Sequence, residues 1–412
     1  MVPKGWMLKQ LSDIVKEKIS YGIVQAGPHI PNGIPYIKSS DIRGAIDPAS
    51  LQRTAPEIHY KYRRSAVHPG DIIFSLRGNI GETAIVPSNL LEANLTQGTA
   101  RISVSGDQCN EFYHQQFAMD KLRNYINSLS KGSTFKEISL EELRKVKVLC
   151  APLPEQKKIA QILSTWDKAI SVTEKLLTNS QQQKKALMQQ LLTGKKRLLD
   201  ENGTRFSETW KLYALSKLFQ RVTTKNNGKS NNVVTISGQH GLIKQEDFFK
   251  KTVASDTLDG YFLLKKGQFA YNKSYSNGYP MGAIKRLNRY PEGVVTTLYI
   301  CFELTTPQKS CGDYWEHYFE SGLLNNSLSQ IAHEGGRAHG LLNVKPSDFF
   351  SLKVAVPGFE EQQKIASVLS AADTEISTLE KKLACLKDEK KALMQQLLTG
   401  KRRVKVDEAV AV

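Results

Sequence analysis

Cationic, amide and hydroxyl side chains follow predicted strands in both halves of the chain, on loops that glycines flank. Arginine can donate two hydrogen bonds to a guanine edge and asparagine can pair with an adenine edge, while serine and lysine often hold phosphate. As a group these side chains suggest contacts with DNA, whereas each one alone could be an ordinary solvated loop residue. The candidates in the first half are Lys38, Ser39, Arg43, Arg77, Asn79 and Lys136. The candidates in the second half are Lys273, Ser274, Tyr275, Asn277, Arg337 and His339.

The net charge favours the same kind of partner. The 412 residues include 57 Lys and Arg against 40 Asp and Glu, which gives a formal charge of +17. Such a surplus favours a polyanion, because each phosphate that is neutralised releases condensed counterions. The excess is shared, with 29 basic against 19 acidic residues in 1–206 and 28 against 21 in 207–412. Both halves are therefore expected to meet the polyanion.

The motifs of several enzymatic chemistries are missing from the sequence. There is no G-x-x-x-x-G-K-[ST] phosphate loop, no G-x-S-x-G elbow, and no Asn-Pro-Pro-aromatic motif of amino-methyltransferases. The segment HEGGRAH (333–339) resembles a zinc-protease motif, but its histidines are six residues apart rather than four, so one helix face would not carry both. We expect neither metal binding nor a self-sufficient enzyme.

Apolar runs and cysteines indicate the cellular context. No apolar run approaches the roughly 18 residues that a membrane span needs, and residues 1–10 lack the apolar stretch of a secretory signal. The five cysteines form no C-x-x-C pair and are odd in number. Reduced thiols in a cytoplasmic protein are the expectation.

An internal repeat organises the whole chain. The segment KKALMQQLLTGK occurs at 184–195 and again, without a mismatch, at 390–401. The same offset of 206 residues aligns EQKKIAQILS (155–164) with EQQKIASVLS (361–370). Since 206 is half of 412, the sequence predicts two tandem copies of one unit.

The copies diverge outside these segments. Shorter matches remain at the start of each copy, GWMLKQLSDI (5–14) with ETWKLYALSKL (208–218), and before each repeated segment, VKVLCAPLPEQ (146–156) with LKVAVPGFEEQ (352–362). Two variable globular units thus alternate with two shared segments. The predicted boundaries are 1–152 and 205–358 for the globular units, and 153–204 and 359–412 for the shared segments.

The shared segments are predicted to be long helices. Pro152 and Pro154 suit a helix start, no Pro or Gly follows up to Thr193, and Gly194 suits the position past a helix end. A helix of about 39 residues would be roughly 58 Å long.

The apolar positions of both helices recur every seven residues, which predicts a left-handed coiled coil. Neither stripe is fully apolar, so we expect the helices to pack on each other, antiparallel and related by a pseudo-twofold axis. The alternative is that each helix is buried in a separate domain core. The predicted helix–helix contacts are Leu163, Trp166, Ile170, Leu177, Leu187, Leu191, Leu369, Ile376, Leu379, Leu383, Leu386, Leu393 and Leu397.

The globular units have the pattern of mixed α/β structure, which makes the fold class α+β. In 70–78, Ile72 and Phe74 alternate with Ile73 and Ser75, the period of a half-buried strand. The predicted strands are 34–42, 70–78, 83–86, 99–104, 233–237, 267–274 and 292–304, and the predicted helices are 115–129 and 314–332.

This arrangement resembles the specificity subunit of a type I restriction-modification system. The resemblance spans the chain and rests on two variable units, each followed by a helix that opens LPEQKKIAQILS (153–164) or FEEQQKIASVLS (359–370) and closes with KKALMQQLLTGK. GDIIFSLRGNIG (70–81) also fits the family, whereas KKGQFAYNKSYSNG (265–278) departs from the usual sequence of the family at this strand. The resemblance implies that each variable unit is a target recognition domain, which reads one half of a split, asymmetric sequence in double-stranded DNA.

The resemblance also implies the partners. The helices would hold the two half-sites apart and bind two modification (methyltransferase) subunits, which carry S-adenosylmethionine and the catalytic site. Restriction subunits, with ATP and Mg²⁺, would add translocation and nuclease activity. The chain itself would be non-catalytic and would bind no cofactor. Two other hypotheses remain open on the residues alone: a pseudo-dimeric DNA-binding regulator that acts without partners, and a structural coiled-coil scaffold.

Overall fold

Two compact units make up the protein. The computed structural model describes residues 2–132, 136–249, 257–334 and 342–406. The first unit combines Met1–Glu174 with Lys381–Val412, and the second is Lys175–Glu380. The division falls inside two helices of 39 residues each, Leu153–Leu191 and Phe359–Leu397. Residues from both ends of the sequence therefore belong to the same unit.

The described part of the first unit contains three small sheets. Its strands are β1 (Met7–Gln10), β2 (Ile34–Ile37), β3 (Arg53–Thr54), β4 (Ile72–Ser75), β5 (Thr83–Ile85), β6 (Asn94–Leu95), β7 (Thr99–Ile102) and β8 (Lys147–Cys150). Its helices are α1 (Pro56–Lys61), α2 (Asn110–Phe117), α3 (Asp120–Ser128), α4 (Leu140–Lys145) and the first part of α5 (Leu153–Leu191), with 3-10 turns at Leu11–Asp13 and Arg63–Ser65. The sheet orders are β3-β2-β6, β5-β4-β7 and β1-β8, and only the β2–β6 pair among these is parallel.

The second unit is built around a four-stranded antiparallel sheet in the order β10-β17-β14-β15. Its strands are β9 (Lys211–Ala214), β10 (Phe219–Arg221), β11 (Val234–Ser237), β12 (Gly241–Lys244), β13 (Phe262–Lys265), β14 (Phe269–Asn272), β15 (Ala283–Arg286), β16 (Glu292–Val295), β17 (Ile300–Leu304), β18 (His333–Glu334), β19 (Leu342–Asn343) and β20 (Lys353–Val356). Its helices are α6 (Leu215–Leu218), α7 (Gln245–Phe249), α8 (Gly312–Glu320), α9 (Asn325–Ile331), α10 (Pro346–Ser351) and α11 (Phe359–Leu397), whose last part belongs to the first unit.

Strand β4 is buried on both faces, so the prediction of a half-buried strand was wrong. Every residue from 71 to 76 is buried. Ile72 and Phe74 face one hydrophobic cluster, which includes Phe117, while Ile73 faces a second cluster that includes Leu95. A strand covered on both sides needs no polar face, and Ser75 is accommodated because its hydroxyl donates to the Arg77 carbonyl oxygen at 2.9 Å.

Two predicted helices and one predicted strand are each divided in the structure. The pattern at 115–129 belongs to α2 and α3, which are separated where Met119 has extended backbone (φ −70°, ψ 130°). The pattern at 314–332 belongs to α8 and α9, between which Gly322 has a φ of +74°. The stretch at 292–304 forms β16 and β17 with a turn between them. Each break contains apolar residues, among them Met119, Leu323 and Leu298, so the apolar pattern alone does not reveal it.

Each long helix is preceded by a two-stranded antiparallel sheet of the same register. Met7 lies opposite Cys150 in the first unit, and Lys211 lies opposite Val356 in the second. Cys150 and Val356 are 206 residues apart, the offset of the repeat. The fragments that the repeat aligns therefore occupy matching strands.

A glutamine near the start of each long helix joins it to the globular part of its unit. The Gln156 side-chain oxygen accepts from the Cys109 backbone N–H at 2.9 Å, and its nitrogen donates to the Ala151 carbonyl at 2.7 Å. In the second unit, Gln362 accepts from the Cys311 backbone N–H at 2.9 Å. Cys109 and Cys311 are the residues directly before α2 and α8. Each glutamine therefore links the start of a long helix to the start of a shorter helix in the same unit.

A buried carboxylate beside each glutamine accepts hydrogen bonds from an arginine that lies just past the end of the other long helix. In the first unit, Arg403 donates from Nε and Nη2 to the two oxygens of Glu155 at 2.6 and 2.7 Å, and Trp6 Nε1 donates at 3.0 Å. The Arg403 guanidinium also lies 5.8 Å from the Trp6 ring centre. We call Trp6, Glu155 and Arg403 the first clamp.

The second unit repeats this contact. Arg197 donates to the two oxygens of Glu361 at 2.6 and 2.7 Å, and Trp210 Nε1 donates at 3.1 Å. Glu361 and Arg197 lie 206 residues from Glu155 and Arg403 in opposite directions along the chain. We call Trp210, Glu361 and Arg197 the second clamp.

Lysines interrupt the apolar stripe of each helix, and each has a carboxylate partner on the other helix. Lys390 lies 2.6 Å from Asp167 in the first unit, and Lys184 lies 2.5 Å from Asp373 in the second. Both lysine side chains are only 15–16% exposed. In the first unit a further pair joins Lys387 to Glu174 at 2.8 Å, so residue numbers fall along one helix as they rise along the other.

The first clamp predicts an acid-sensitive unit. Burial alone would raise the pKa of Glu155, but hydrogen bonds from Arg403 and Trp6 outweigh it and leave the pKa below its ordinary value of 4.5. A carboxyl whose folded-state pKa is depressed stabilises the fold above about pH 4.5, and this contribution is lost as the pH falls through the folded-state pKa. We expect Glu155→Gln to lower the free energy of unfolding at pH 7 by about 2 kcal/mol, the value of hydrogen bonds to a charged group, and to flatten its decline in acid.

Urea denaturation followed by circular dichroism between pH 3 and 7 measures both effects. Glu57→Gln, which removes the same charge from an exposed position in the first unit, is the matched control and should keep the wild-type pH profile of stability. A profile for Glu155→Gln that parallels the wild type would show that the clamp does not carry the acid sensitivity.

Candidate nucleic-acid interface

The loops after β2 and β4 carry the candidates of the first unit. The Lys38 backbone N–H donates to Asp41 at 2.9 Å, and its ammonium group lies 3.3 Å from the Gln52 side-chain oxygen. Ser39 is half-buried and Arg43 is exposed. The aspartate closes the turn after β2, which places the lysine and serine at the end of the strand.

The loop after β4 has internal partners. Arg77 Nε lies 2.9 Å from Glu137, and the Asn79 amide donates to Glu82 at 3.2 Å. A backbone bridge between Arg77 and Glu137 brings Lys136, which is exposed, next to this loop. One donor of Arg77 and one of Asn79 are thus engaged by carboxylates of the same unit.

The two loops meet at the same place in the unit. The Leu76 backbone N–H donates to the Gly98 carbonyl at 2.9 Å. A Cβ added at Gly98 would lie 3.9 Å from the Ser39 hydroxyl. The structure thus brings the Ser39 and Arg77 loops together around Gly98, which the sequence pattern alone does not reveal.

The candidates of the second unit follow β14. Burial lowers the pKa of Lys273, and the charge of Arg221 adds to the shift. Ser274 is half-buried, Asn277 is exposed, and Tyr275 has 64% of its surface exposed. Arg337 and His339 lie outside the described residues. This loop presents an aromatic ring and an amide to solvent beside a cation that is partly buried.

The residues predicted to join the helices differ in burial. Leu163 and Leu397 lie in the hydrophobic cluster of the first unit, and Leu191 and Leu369 lie in that of the second. All four are 3% exposed or less. The remaining predicted contacts are all partly buried: Trp166, Ile170, Leu177, Leu187, Ile376, Leu379, Leu383, Leu386 and Leu393.

The two clamps were missed in the sequence, although a signal for them exists. The tryptophans lie far from the helices in the chain, so helical periodicity does not point to them. The repeat, however, aligns Glu155 with Glu361 and Arg197 with Arg403, two oppositely charged pairs at equivalent positions. Opposite charges kept at both copies, one at the start and one past the end of each repeated helix, are the signal that identifies them.

Membrane spans, metal clusters and disulfides are the other features that bear on function. Across residues 2–132, 136–249, 257–334 and 342–406, no helix is both long and apolar enough to cross a membrane. The same stretches hold no group of three or more His, Cys, Asp or Glu that could bind a metal ion. All five cysteines are free thiols.

Comparison with known proteins identifies the relatives. Residues 3–179 match the family model of the type I restriction modification DNA specificity domain. The type I restriction enzyme EcoBI specificity subunit of Escherichia coli is 27% identical over 196 residues, 47% of this chain and 41% of that protein. The MjaVIII specificity subunit of Methanocaldococcus jannaschii is 23% identical over 98% of this chain and 94% of its own length.

A solved structure has the same fold. The crystal structure of the type I restriction-modification S subunit from M. genitalium superposes with a TM-score of 0.60 at 14% identity, covering 96% of this chain and 99% of that one. At this identity the likeness concerns the fold alone. Residues 3–179 thus belong to the family of the type I restriction modification DNA specificity domain, and the chain as a whole is similar, along nearly its full length, to curated type I specificity subunits.

Proposed function

We propose that this protein reads a bipartite, asymmetric DNA target, one recognition domain per half-site, for a type I restriction-modification complex. The observation that carries the proposal is the presence of two compact units, each with its own core and its own exposed loops of DNA-binding residue types. The loops differ between units whereas the helix ends match, which fits two different readers on one common frame. The domains are proposed as 1–152 and 205–358.

The frame is proposed to be an antiparallel coiled coil with pseudo-twofold symmetry. Its support is the reciprocity of the contacts within each unit, since each clamp joins the start of one helix to the end of the other. The Lys390–Asp167 and Lys184–Asp373 pairs are likewise related by the repeat. Polar contacts within a mainly apolar seam favour the register in which they are paired, because a register that placed apolar residues opposite the lysines would leave those charges without partners.

The chemistry is proposed to reside in partner subunits. Two near-identical helical segments offer two similar docking surfaces, which fits one modification subunit for each. S-adenosylmethionine would then be bound by the modification subunits, and ATP with Mg²⁺ by restriction subunits, while this chain contributes no catalytic group. Its part in the reaction is to place a chosen stretch of DNA beside the catalytic site of the partner.

Exchange of one recognition domain tests the division of labour. When residues 1–152 are replaced by the corresponding domain of another specificity subunit, we expect one half of the methylated sequence to change and the other half to persist. The reason is that each unit has its own core and loops. The measurement is single-molecule methylation sequencing of DNA from cells that express the hybrid with its modification subunit.

Replacement of residues 205–358 is the matched control and should change the opposite half. A hybrid in which both halves change would contradict the proposal of one domain per half-site. Tight, sequence-specific binding by the isolated chain, with no methylation in the presence of any modification subunit, would instead support a regulator that acts alone.

The frame predicts the length of the unread gap. Four residues inserted after Glu174 and four after Glu380, where the units divide, lengthen both helices by about 6 Å and leave the contacts within each unit intact. At about 3.4 Å per base pair, we expect the gap to grow by one or two base pairs with both half-sites unchanged. Methylation sequencing measures the gap, and a variant that folds but keeps the original gap would argue against the helices as spacer.

A further inference from the structure

A short basic and aromatic segment stands out on the first unit. The sequence IHYKYRR (58–64) covers the end of α1 and the start of the following 3-10 turn. Tyr60 has 65% of its surface exposed, and Lys61, Arg63 and Arg64 are also exposed. We call these four residues the α1 platform.

A buried amide fixes the backbone of the platform from below. Asn94, the first residue of β6, is fully buried, and its nitrogen donates to the Tyr62 carbonyl at 3.2 Å. Its oxygen accepts from the Ser65 hydroxyl at 2.8 Å. His59, also buried, has Nδ1 within 3.2 Å of the same amide nitrogen. Such a satisfied polar network holds a surface segment in one conformation.

Two further contacts hold the segment to neighbouring elements. Arg101, which is 6% exposed, donates from Nη1 to the Ala66 carbonyl at 2.5 Å and forms an ion pair with Glu17. The Ser20 hydroxyl donates to the Arg64 carbonyl at 3.3 Å. The two hydrogen bonds are accepted by the backbone carbonyls of Arg64 and of Ala66, just after the segment, so they do not use the charged side chains of the platform.

The platform cations keep their charge available. Among the described residues, no carboxylate lies within 4.0 Å of the charged groups of Lys61, Arg63 or Arg64, in contrast to Arg77 and its partner Glu137. Glu92, an acid attached to the same network, is directed at His59 Nε2 at 3.3 Å. The Lys61 ammonium lies 6.0 Å from the centre of the Tyr62 ring. Because these cations have no carboxylate partner among the described residues and lie on a rigid segment, they can bind an anion from outside the chain.

We propose that the α1 platform binds backbone phosphates of the DNA next to the half-site read by the first unit. This inference rests on the proposed function, and its location follows from β6. Asn94 holds the platform, while the residue after this strand, Thr96, donates its backbone N–H to the Ile37 carbonyl at 3.1 Å, next to the Lys38 loop. The platform and that candidate loop are therefore attached to the same two-residue strand.

The residue types match phosphate chemistry. Arg63 and Arg64 can each donate two N–H groups to phosphate oxygens, Lys61 supplies a point charge, and the Tyr60 hydroxyl can donate one hydrogen bond. Contacts of this kind position the protein on the duplex and carry no sequence information. The platform thus sets the register in which the loops after β2 and β4 meet the bases.

The salt dependence of binding tests the assignment. The full chain is titrated with a fluorescently labelled DNA duplex of mixed sequence across a KCl series, and the logarithm of the association constant is plotted against that of the salt concentration. For K61A/R63A/R64A we expect the slope to become less steep by about 2.7, which corresponds to three lost phosphate contacts. R63K/R64K retains the charges and should keep the wild-type slope.

A matched control removes the same charge elsewhere in the first unit. K157A/K158A/K168A alters three exposed lysines of α5 and should leave the slope within about one contact of the wild type. Equal slopes for the wild type and K61A/R63A/R64A, with DNA binding intact, would overturn the platform and leave the proposed function standing. An equal loss of slope in K157A/K158A/K168A would show that the effect comes from net charge alone, and would also overturn the phosphate-binding role of the platform. No binding by the wild type at low salt would overturn the platform and the DNA-reading role together.

Methylation mapping separates the platform from the base-reading loops. Within the complex with the modification subunit, K61A/R63A/R64A should methylate the wild-type sequence at a lower rate, because phosphate contacts contribute affinity uniformly across sequences. A changed base in the methylated sequence would assign these residues to base reading and would overturn a phosphate role. The control is thermal unfolding: equal midpoint temperatures for the variant and the wild type exclude loss of folding as the cause of a lower rate.

Discussion

The interaction on which the rest depends is the grip of an arginine on a buried glutamate at the start of each long helix. Glu155 and Glu361 are 4% and 2% exposed, and a buried carboxylate without a partner is strongly destabilising. The partner in each case comes from beyond the end of the other helix, Arg403 for Glu155 and Arg197 for Glu361. Neither unit can satisfy its own carboxylate without the helix supplied from the opposite half of the sequence. This requirement explains why the first unit includes residues from both ends of the chain, and it ties the position of each helix end to a tryptophan of the globular part.

The lysines within the helices add a second constraint of the same kind. Apolar residues spaced by seven can pack in more than one register, since a shift by one repeat brings leucine against leucine again. Lys184 and Lys390 restrict that freedom, because each is paired with an aspartate in the observed register, and a register that placed an apolar residue opposite would leave it unpaired. Their ion pairs are partly buried, so their contribution to stability is modest, and their effect is on specificity of pairing. In the apolar pattern these lysines are interruptions; in the structure they are the positions at which the two helices recognise each other.

Much of the frame could be predicted from the sequence, because the relevant signals are local or exactly repeated. The helix bounds of α5 follow from Pro152 before it, Pro154 in its first turn and Gly194 after it, and the repeat transfers them to α11. Other features depend on what covers an element. Strand β4 looks half-buried by its alternation, and only the second hydrophobic cluster, with Ile73 facing Leu95, makes it buried on both sides. The convergence of the Ser39 and Arg77 loops on Gly98 depends on contacts between residues about 20 to 60 positions apart, which no window of sequence contains.

The separation of frame from loops has a physical basis in where the buried polar groups lie. The clamps and lysine–aspartate pairs fix the helices, and none of them involves a loop that follows β2, β4 or β14. The loop-side network around Asn94 is complete without any residue of the long helices α5 and α11, since its partners are Tyr62, Ser65 and His59. A substitution in one network therefore leaves the other satisfied, and energies at sites without shared partners are close to additive. Such independence is what allows two globular units to differ in their surfaces while the contacts that hold the helices stay the same in both.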